Sequence, residues 1–178
     1  NEIMPKVLFN IWRTNSSGGE FQEYKTEITE GMVVLDAVHQ IQAEHANDLA
    51  VRWNCKAGKC GSCSAEINGH PKLMCMTRMG DMPEGKPIIL QPMKSFPVIK
   101  DLVTDVSVNY RIKKKIKKFT PRPPDAPDGT WRMAQSDIDR VQEFRKCIEC
   151  FLCQDVCHVL REHSLHEKFA GPRHMVYT

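Results

Sequence analysis

The 178-residue chain has no apolar run long enough for a membrane-spanning helix, so none is predicted. Its first thirty residues carry acids and lack a continuous apolar core, so no signal peptide is read there. No G-x-G-x-x-G occurs, which excludes a dinucleotide fingerprint of that form. Nothing has the pattern of a nucleophile triad, a phosphate loop or a catalytic carboxylate pair, so the chain is not expected to bind a substrate itself. A large charge excess is lacking too: Lys plus Arg is 25 against 22 for Asp plus Glu. Arg111 to Lys118 (RIKKKIKK) concentrates six basic residues without an acid, and the rest of the chain is net negative. The overall charge is therefore no argument for nucleic acid. The run has no interleaved aromatics, and Ile112 and Ile116 lie four apart. It reads as a solvated helix with one apolar stripe, with an acidic partner or anionic headgroups as the next reading.

Cysteine is abundant. The eight cysteines form two groups of four with 71 residues between them. Without a secretory signal the expected compartment is reducing, where clustered cysteines hold metal more often than they form disulfides. Cys55, Cys60, Cys63 and Cys75 are spaced C-x4-C-x2-C-x11-C, the form of plant-type [2Fe–2S] sites. Gly58 and Gly61 suit a loop that must take positive φ and bring backbone N–H groups to sulfur. Lys56 and Lys59 add positive charge beside an anionic cluster. Cys147, Cys150, Cys153 and Cys157 are spaced C-x2-C-x2-C-x3-C, the bacterial cubane run, in which the fourth cysteine ligates a different cluster. A zinc site or a disulfide framework is the blander reading of either group.

Along the chain, Val7 to Arg13 and Phe21 to Ile28 read as a hairpin around Asn15 to Gly19. Leu35, Val38 and Ile41 predict a helix from about Val34 to His45. Ser64 to Ile67 followed by Asn68-Gly69, and Pro87 to Gln91, read as further strands. Val98 to Phe119 reads as one helix, with Leu102, Val108, Ile112, Ile116 and Phe119 on a face. Thr120 to Asp128 has four prolines in nine residues and reads as a stiff connection. A helix is expected to start at Ser136-Asp137-Ile138-Asp139, present Ile138, Val141, Phe144 and Ile148, and end near Cys147. The nine methionines, five of them between Met74 and Met93, read as packing residues. The expected class is α+β, with a mixed unit over residues 1–97 and a helical unit over residues 98–178.

The order of the two cysteine groups resembles the iron–sulfur subunit of succinate dehydrogenase and fumarate reductase. CKAGKCGSCSAEINGHPKLMC (Cys55 to Cys75) resembles that family's [2Fe–2S] loop, FPVIKDLVTDVS (Phe96 to Ser107) its interdomain segment, and KCIECFLCQDVCH (Lys146 to His158) its cubane loop. The resemblance spans essentially the whole chain. It implies a β-grasp [2Fe–2S] domain followed by an all-α ferredoxin-like domain. It also implies an electron relay within respiratory complex II, from a partner's flavin through [2Fe–2S], [4Fe–4S] and [3Fe–4S] clusters to a membrane quinone, menaquinone or ubiquinone. Carried over by position, Cys55, Cys60, Cys63 and Cys75 hold the first cluster. Cys147, Cys150 and Cys153 hold three corners of the second, and Cys157 serves the third. The implied partners are an FAD-containing flavoprotein subunit and membrane-anchor subunits, without nucleic acid. The implied place is the periphery of the inner membrane, on its cytoplasmic or matrix face.

Two departures from the family pattern stand out. His158 follows Cys157 where proline is usual, and no tryptophan follows Trp131. His158, Arg161 and His163 are therefore the candidate quinone-site residues. A [4Fe–4S] and a [3Fe–4S] cluster together need seven thiolates, and the second group supplies four. The sequence reading thus expects the native chain to continue past Thr178 with at least three more cysteines. Other flavoenzyme complexes, glycolate-oxidase-like or heterodisulfide-reductase-like, share cubane runs but usually lack a domain like that around Cys55 to Cys75. A zinc-stabilised interaction module is the remaining alternative.

Overall fold

In a computed structural model, residues 5–177 are described. β1 (Lys6–Arg13) and β2 (Glu20–Glu27) form the expected hairpin, paired antiparallel with Phe9 opposite Tyr24 and Ile11 opposite Gln22. Alternation along β1 sends Phe9 and Ile11 into the core. There they meet α1 (Val34–Glu44), whose Leu35, Val38 and Ile41 form the buried stripe that their spacing predicts. The Asp36 carboxylate accepts the Val33 N–H at 3.2 Å and closes the start of that helix.

β3 (Ser64–Ile67) and β4 (His70–Leu73) make a second hairpin around Asn68-Gly69. Both turn residues have positive φ, 50° and 79°, as a two-residue turn matched to strand twist requires. β5 (Ile88–Gln91) runs parallel to β1, with Phe9 opposite Ile88 and Ile11 opposite Leu90. The result is a mixed sheet in the order β2-β1-β5-β3-β4 with α1 across one face, the β-grasp layout that was expected.

The single helix expected over 98–119 does not form. β6 (Val98–Lys100) and β7 (Val103–Thr104) make a small hairpin, and only Ser107–Lys115 (α2) is helical. Asp101 decides this. It adopts φ +48°, a conformation an aspartate tolerates in tight turns. Its fully buried carboxylate accepts the N–H of Thr14 at 2.7 Å and of Ala50 at 2.8 Å, and Arg13 Nε lies 3.3 Å away. The turn is thereby fastened to the end of β1. Leu102 then enters the N-terminal core rather than a helix face, so that core draws on residues beyond 97. Ile116 ends α2, and Phe119 is 88% exposed.

The remaining elements are helical: α3 (Gln135–Arg145), α4 (Leu152–Val156), α5 (His158–Arg161) and α6 (Pro172–Met175). The proline-rich connection before α3 is held by a 2.5 Å Arg122–Asp125 ion pair and by Trp131 Nε1 donating to the Arg122 carbonyl at 2.7 Å. α3 begins after Ala134, one residue before Gln135, so Ser136 does not cap it. None of its residues is buried, and Phe144 is 57% exposed. The apolar face expected there is left without a buried residue.

The helical part has a small apolar core of Met93, Phe96 and Phe151. Beside it lies a polar one. Gln154 Nε2 donates to Asn109 Oδ1 and to the Ala170 carbonyl, both at 3.0 Å, and Gln154 Oε1 accepts the Arg173 N–H at 3.1 Å. With every group of this buried amide satisfied, its burial carries little penalty.

Removing the Asp101 carboxylate leaves the Thr14 and Ala50 N–H groups without their acceptor and takes a carboxylate from beside Arg13, which keeps Asp48 and Tyr24. Asp101→Ala should lower unfolding stability by about 3 kcal/mol, read as a shift in denaturant midpoint; an unchanged midpoint would refute the role given to this turn.

Candidate metal centres

The loop between α1 and β3 carries Cys55, Cys60 and Cys63, and Cys75 returns from β4 in a short 3-10 turn, Met74–Met76. Cys63 and Cys75 are buried, while Cys55 and Cys60 are partly exposed. Sulfur in this loop is met by backbone donors. Ala57 and Lys59 N–H point at Cys55 Sγ (3.4 and 3.3 Å), Ser62 N–H at Cys60 Sγ (3.5 Å) and Cys75 N–H at Cys63 Sγ (3.4 Å). Such bonds stabilise negative charge on sulfur.

Positive φ at Lys56 (53°), Gly58 (63°) and Gly61 (70°) produces this inward-turned backbone. At Gly58 a Cβ would stand 2.8 Å from Met76 Sδ, so the loop closes tightly there. Lys56 pairs with Asp36 at 3.5 Å and lies over the Trp53 ring, 5.3 Å from its centroid, so its charge is shared rather than free.

The thiols are electrostatically distinct. Hydrogen bonds from Ser62 and then the backbone pull the Cys60 thiol down to about 6. Burial pushes the Cys63 thiol up to about 12, with Cys75 and Cys60 adding to the effect. The four cysteines therefore lie in one neighbourhood, graded from the surface inward. Among the described residues, no three His, Cys, Asp or Glu side chains surround one point as a single ion would need. Four sulfur donors, with N–H groups aimed at sulfur, fit a two-iron cluster.

The second group wraps a different loop. Glu149 and Phe151 flank Cys150 with φ +55° and +61°, both unusual for residues with side chains. The αL residues curl the backbone tightly between Cys147 and Cys153. Cys153 has solvent access, yet the protein around it, and then the thiols of Cys150 and Cys147, hold its pKa above the ordinary value. Cys157 lies past the end of α4, where the backbone turns extended before α5.

Glu149 is fixed by Lys113 at 2.7 Å, by Arg173 at 2.8 Å and by the Tyr177 hydroxyl. The Lys113 and Tyr177 bonds hold its pKa near 2 although burial opposes them. A curled loop with closely set thiols fits three corners of a cubane.

The two loops touch. Gly61 is buried against Cys150, and Ser64 Oγ lies 2.8 Å from the Gly61 carbonyl and 2.9 Å from the Cys150 carbonyl. Two residues along β3, on the same face, stands Glu66, 0% exposed. It meets Arg161 through both carboxylate oxygens, accepts from Gln91 Nε2 at 2.5 Å and takes the Lys94 N–H at 3.2 Å. Arg161 also stands 3.5 Å from Asp155, whose carboxylate accepts the Ser95 N–H at 2.8 Å. Burial raises the Glu66 pKa, but Arg161 and Gln91 outweigh it and hold the group ionised, below its usual range. Burial pushes Asp155 up to about 6.

Arg161, a quinone-site candidate by sequence, thus bridges the sheet and the helical part, while His158 and His163 are exposed. Glu66, Asp155 and Ser64 escaped sequence reading. The only signal was an acid and a serine on alternate positions of a strand, which ordinarily marks a solvent face.

Residues 8–111 match the model of a 2Fe-2S iron-sulfur cluster binding domain. The chain is 37% identical to the fumarate reductase iron-sulfur subunit of Mycobacterium tuberculosis, over 96% of this chain and 69% of that protein. It is 26% identical to the succinate dehydrogenase iron-sulfur subunit of Coxiella burnetii, over 97% and 73%. It superposes on a chain of the Mycobacterium smegmatis Sdh1 complex in the apo form with a TM-score of 0.90 and 55% identity, covering 96% of this chain and 72% of that one.

Glu66→Gln should leave Arg161 facing a neutral amide across the junction of sheet and helices. The expected loss is about 3 kcal/mol of stability; Arg161→Met should cost a similar amount, and a double variant that costs the full sum of the two would disprove their pairing.

Proposed function

The chain belongs to the family of iron–sulfur subunits of succinate dehydrogenase and fumarate reductase, and we propose that it relays electrons between a flavin on a partner subunit and a membrane quinone. The observation that supports the relay is the contact of its two cysteine loops: Cys60 and Cys150 lie either side of the Gly61 packing point. Cys55, Cys60, Cys63 and Cys75 take a [2Fe–2S] cluster. Cys147, Cys150 and Cys153 take three corners of a [4Fe–4S] cluster, and Cys157 serves a [3Fe–4S] cluster. The remaining thiolates are not among these eight cysteines. Iron–sulfur clusters supply one-electron exchange with little change of geometry.

The protein's own part is to hold sulfur donors, aim N–H groups at them and keep the loops in register. Two units divide this labour: the sheet with the β6–β7 hairpin, and the helices after it. A flavoprotein subunit docks near the partly exposed Cys55 and Cys60. Membrane-anchor subunits face the Cys157 side, where exposed His158 and His163 are available to a quinone while Arg161 is engaged by Glu66. No described helix is long and apolar enough to cross a membrane. In the proposed assembly the anchors make the contact with the bilayer, at its cytoplasmic or matrix face.

The test is spectroscopic. Cys60→Ala, expressed in the assembled complex, should abolish the [2Fe–2S] EPR signal and lower iron by two per chain, while the other cluster signals persist. A full [2Fe–2S] signal in that variant would overturn the ligand assignment.

A further inference from the structure

The outward face of β3 is an interdomain surface, and its first residue stands at a contact of the two cysteine loops. Gly61 follows Cys60 directly, and the residue packed against it is Cys150. A Cβ on Gly61 would lie 2.6 Å from Cys150 Cα and 2.9 Å from both its nitrogen and its Cβ. Two of these are atoms of the opposing backbone and the third is the Cβ fixed to it, not the end of a mobile side chain, so neither loop can yield without shifting its cysteine. The Ser64 hydroxyl has one hydrogen, shared between the Gly61 carbonyl at 2.8 Å and the Cys150 carbonyl at 2.9 Å. A cavity of about 390 Å³, lined in part by Cys60, Ser62, Tyr110 and Glu149, opens beside this contact. Electronic coupling across open volume is weaker than across bonded and packed atoms. The route from Cys60 to Cys150 through Gly61 is one peptide unit and one van der Waals step.

The geometry points to Gly61 as the place where electrons cross between the two centres, with Ser64 as a positioning residue that holds the crossing closed. The inference rests on the relay reading above. In each crossing one electron leaves the [2Fe–2S] centre, which is oxidised, and enters the cubane centre, which is reduced. No bond forms and no proton moves. Glu66 and Arg161 clamp the same strand face two residues further on, which explains why a charged pair is buried at this junction.

Three variants in the assembled complex test it: Gly61→Ala, Ser64→Ala and, as control, Gly69→Ala. Gly69 also has positive φ, 79°, but nothing lies near the Cβ position, so it carries the backbone strain without the contact. Iron content and EPR measure cluster loading. The enhanced spin relaxation of the [2Fe–2S] signal by its neighbour measures proximity, and freeze-quench EPR after a reducing pulse measures the crossing.

Gly61→Ala should keep both clusters, weaken the relaxation enhancement and slow the crossing severalfold. Ser64→Ala should do the same to a smaller degree, and Gly69→Ala should match the wild type. If Gly61→Ala fails to load its clusters, Ser64→Ala decides alone. Wild-type crossing rates and relaxation in a fully loaded Gly61→Ala, or in Ser64→Ala where that variant decides, would overturn the inference while leaving the relay intact. Absence of a second cluster in the wild type would instead overturn the relay and this inference with it.

Discussion

A carboxylate buried between two structural units sets the terms for this molecule. Glu66 sits on a strand whose other face, through Ala65 and Ile67, is part of the hydrophobic core. Water is excluded from both faces, so its charge persists only because Arg161, Gln91 and the Lys94 amide surround it. An ion pair of this kind contributes little net stability compared with an apolar contact of equal size. What it supplies is direction. A guanidinium fork meets a carboxylate in few geometries, whereas apolar surfaces slide. The helical part has a small apolar cluster of Met93, Phe96 and Phe151, and would otherwise have little to fix its angle on the sheet.

The two halves differ in how they are built. The sheet and α1 enclose a continuous apolar core, so local pattern and packing agree. The helical half relies on a satisfied polar centre around Gln154 and on ion pairs around Glu149. Its helices are short, its longest one buries none of its residues, and its cysteine loop holds two residues in left-handed backbone. The proposed cubane would add cross-links where side-chain packing is thin.

Sequence legibility followed this division. The first hairpin, the Asn68-Gly69 turn and the Leu35, Val38, Ile41 stripe were legible because residue pattern and three-dimensional surroundings ask for the same thing. The turn of the first cysteine loop was legible because two of the positive φ values it needs fall on glycines, Gly58 and Gly61. The stretch from Val98 to Thr104 was not. Its apolar residues mimic helical spacing, yet the buried Asp101 carboxylate binds backbone groups at Thr14 and Ala50, which no local window contains. Glu66 and Ser64 were hidden for a related reason. Alternation on a strand reads as one wet face, and only the arrival of α5 and the Cys150 loop, 95 and 86 residues away, makes that face dry.

Gly61 has a consequence for heritable variation. Every missense change that a single base can make in a glycine codon introduces a Cβ. At most glycines of a surface loop that is tolerable, and at Gly69 it meets open space. At Gly61 it meets the backbone of Cys150. The position has no near neighbours in the genetic code that preserve the approach of the loops, so mutation reaches it only by breaking it, and drift elsewhere in the loop must proceed around a fixed point.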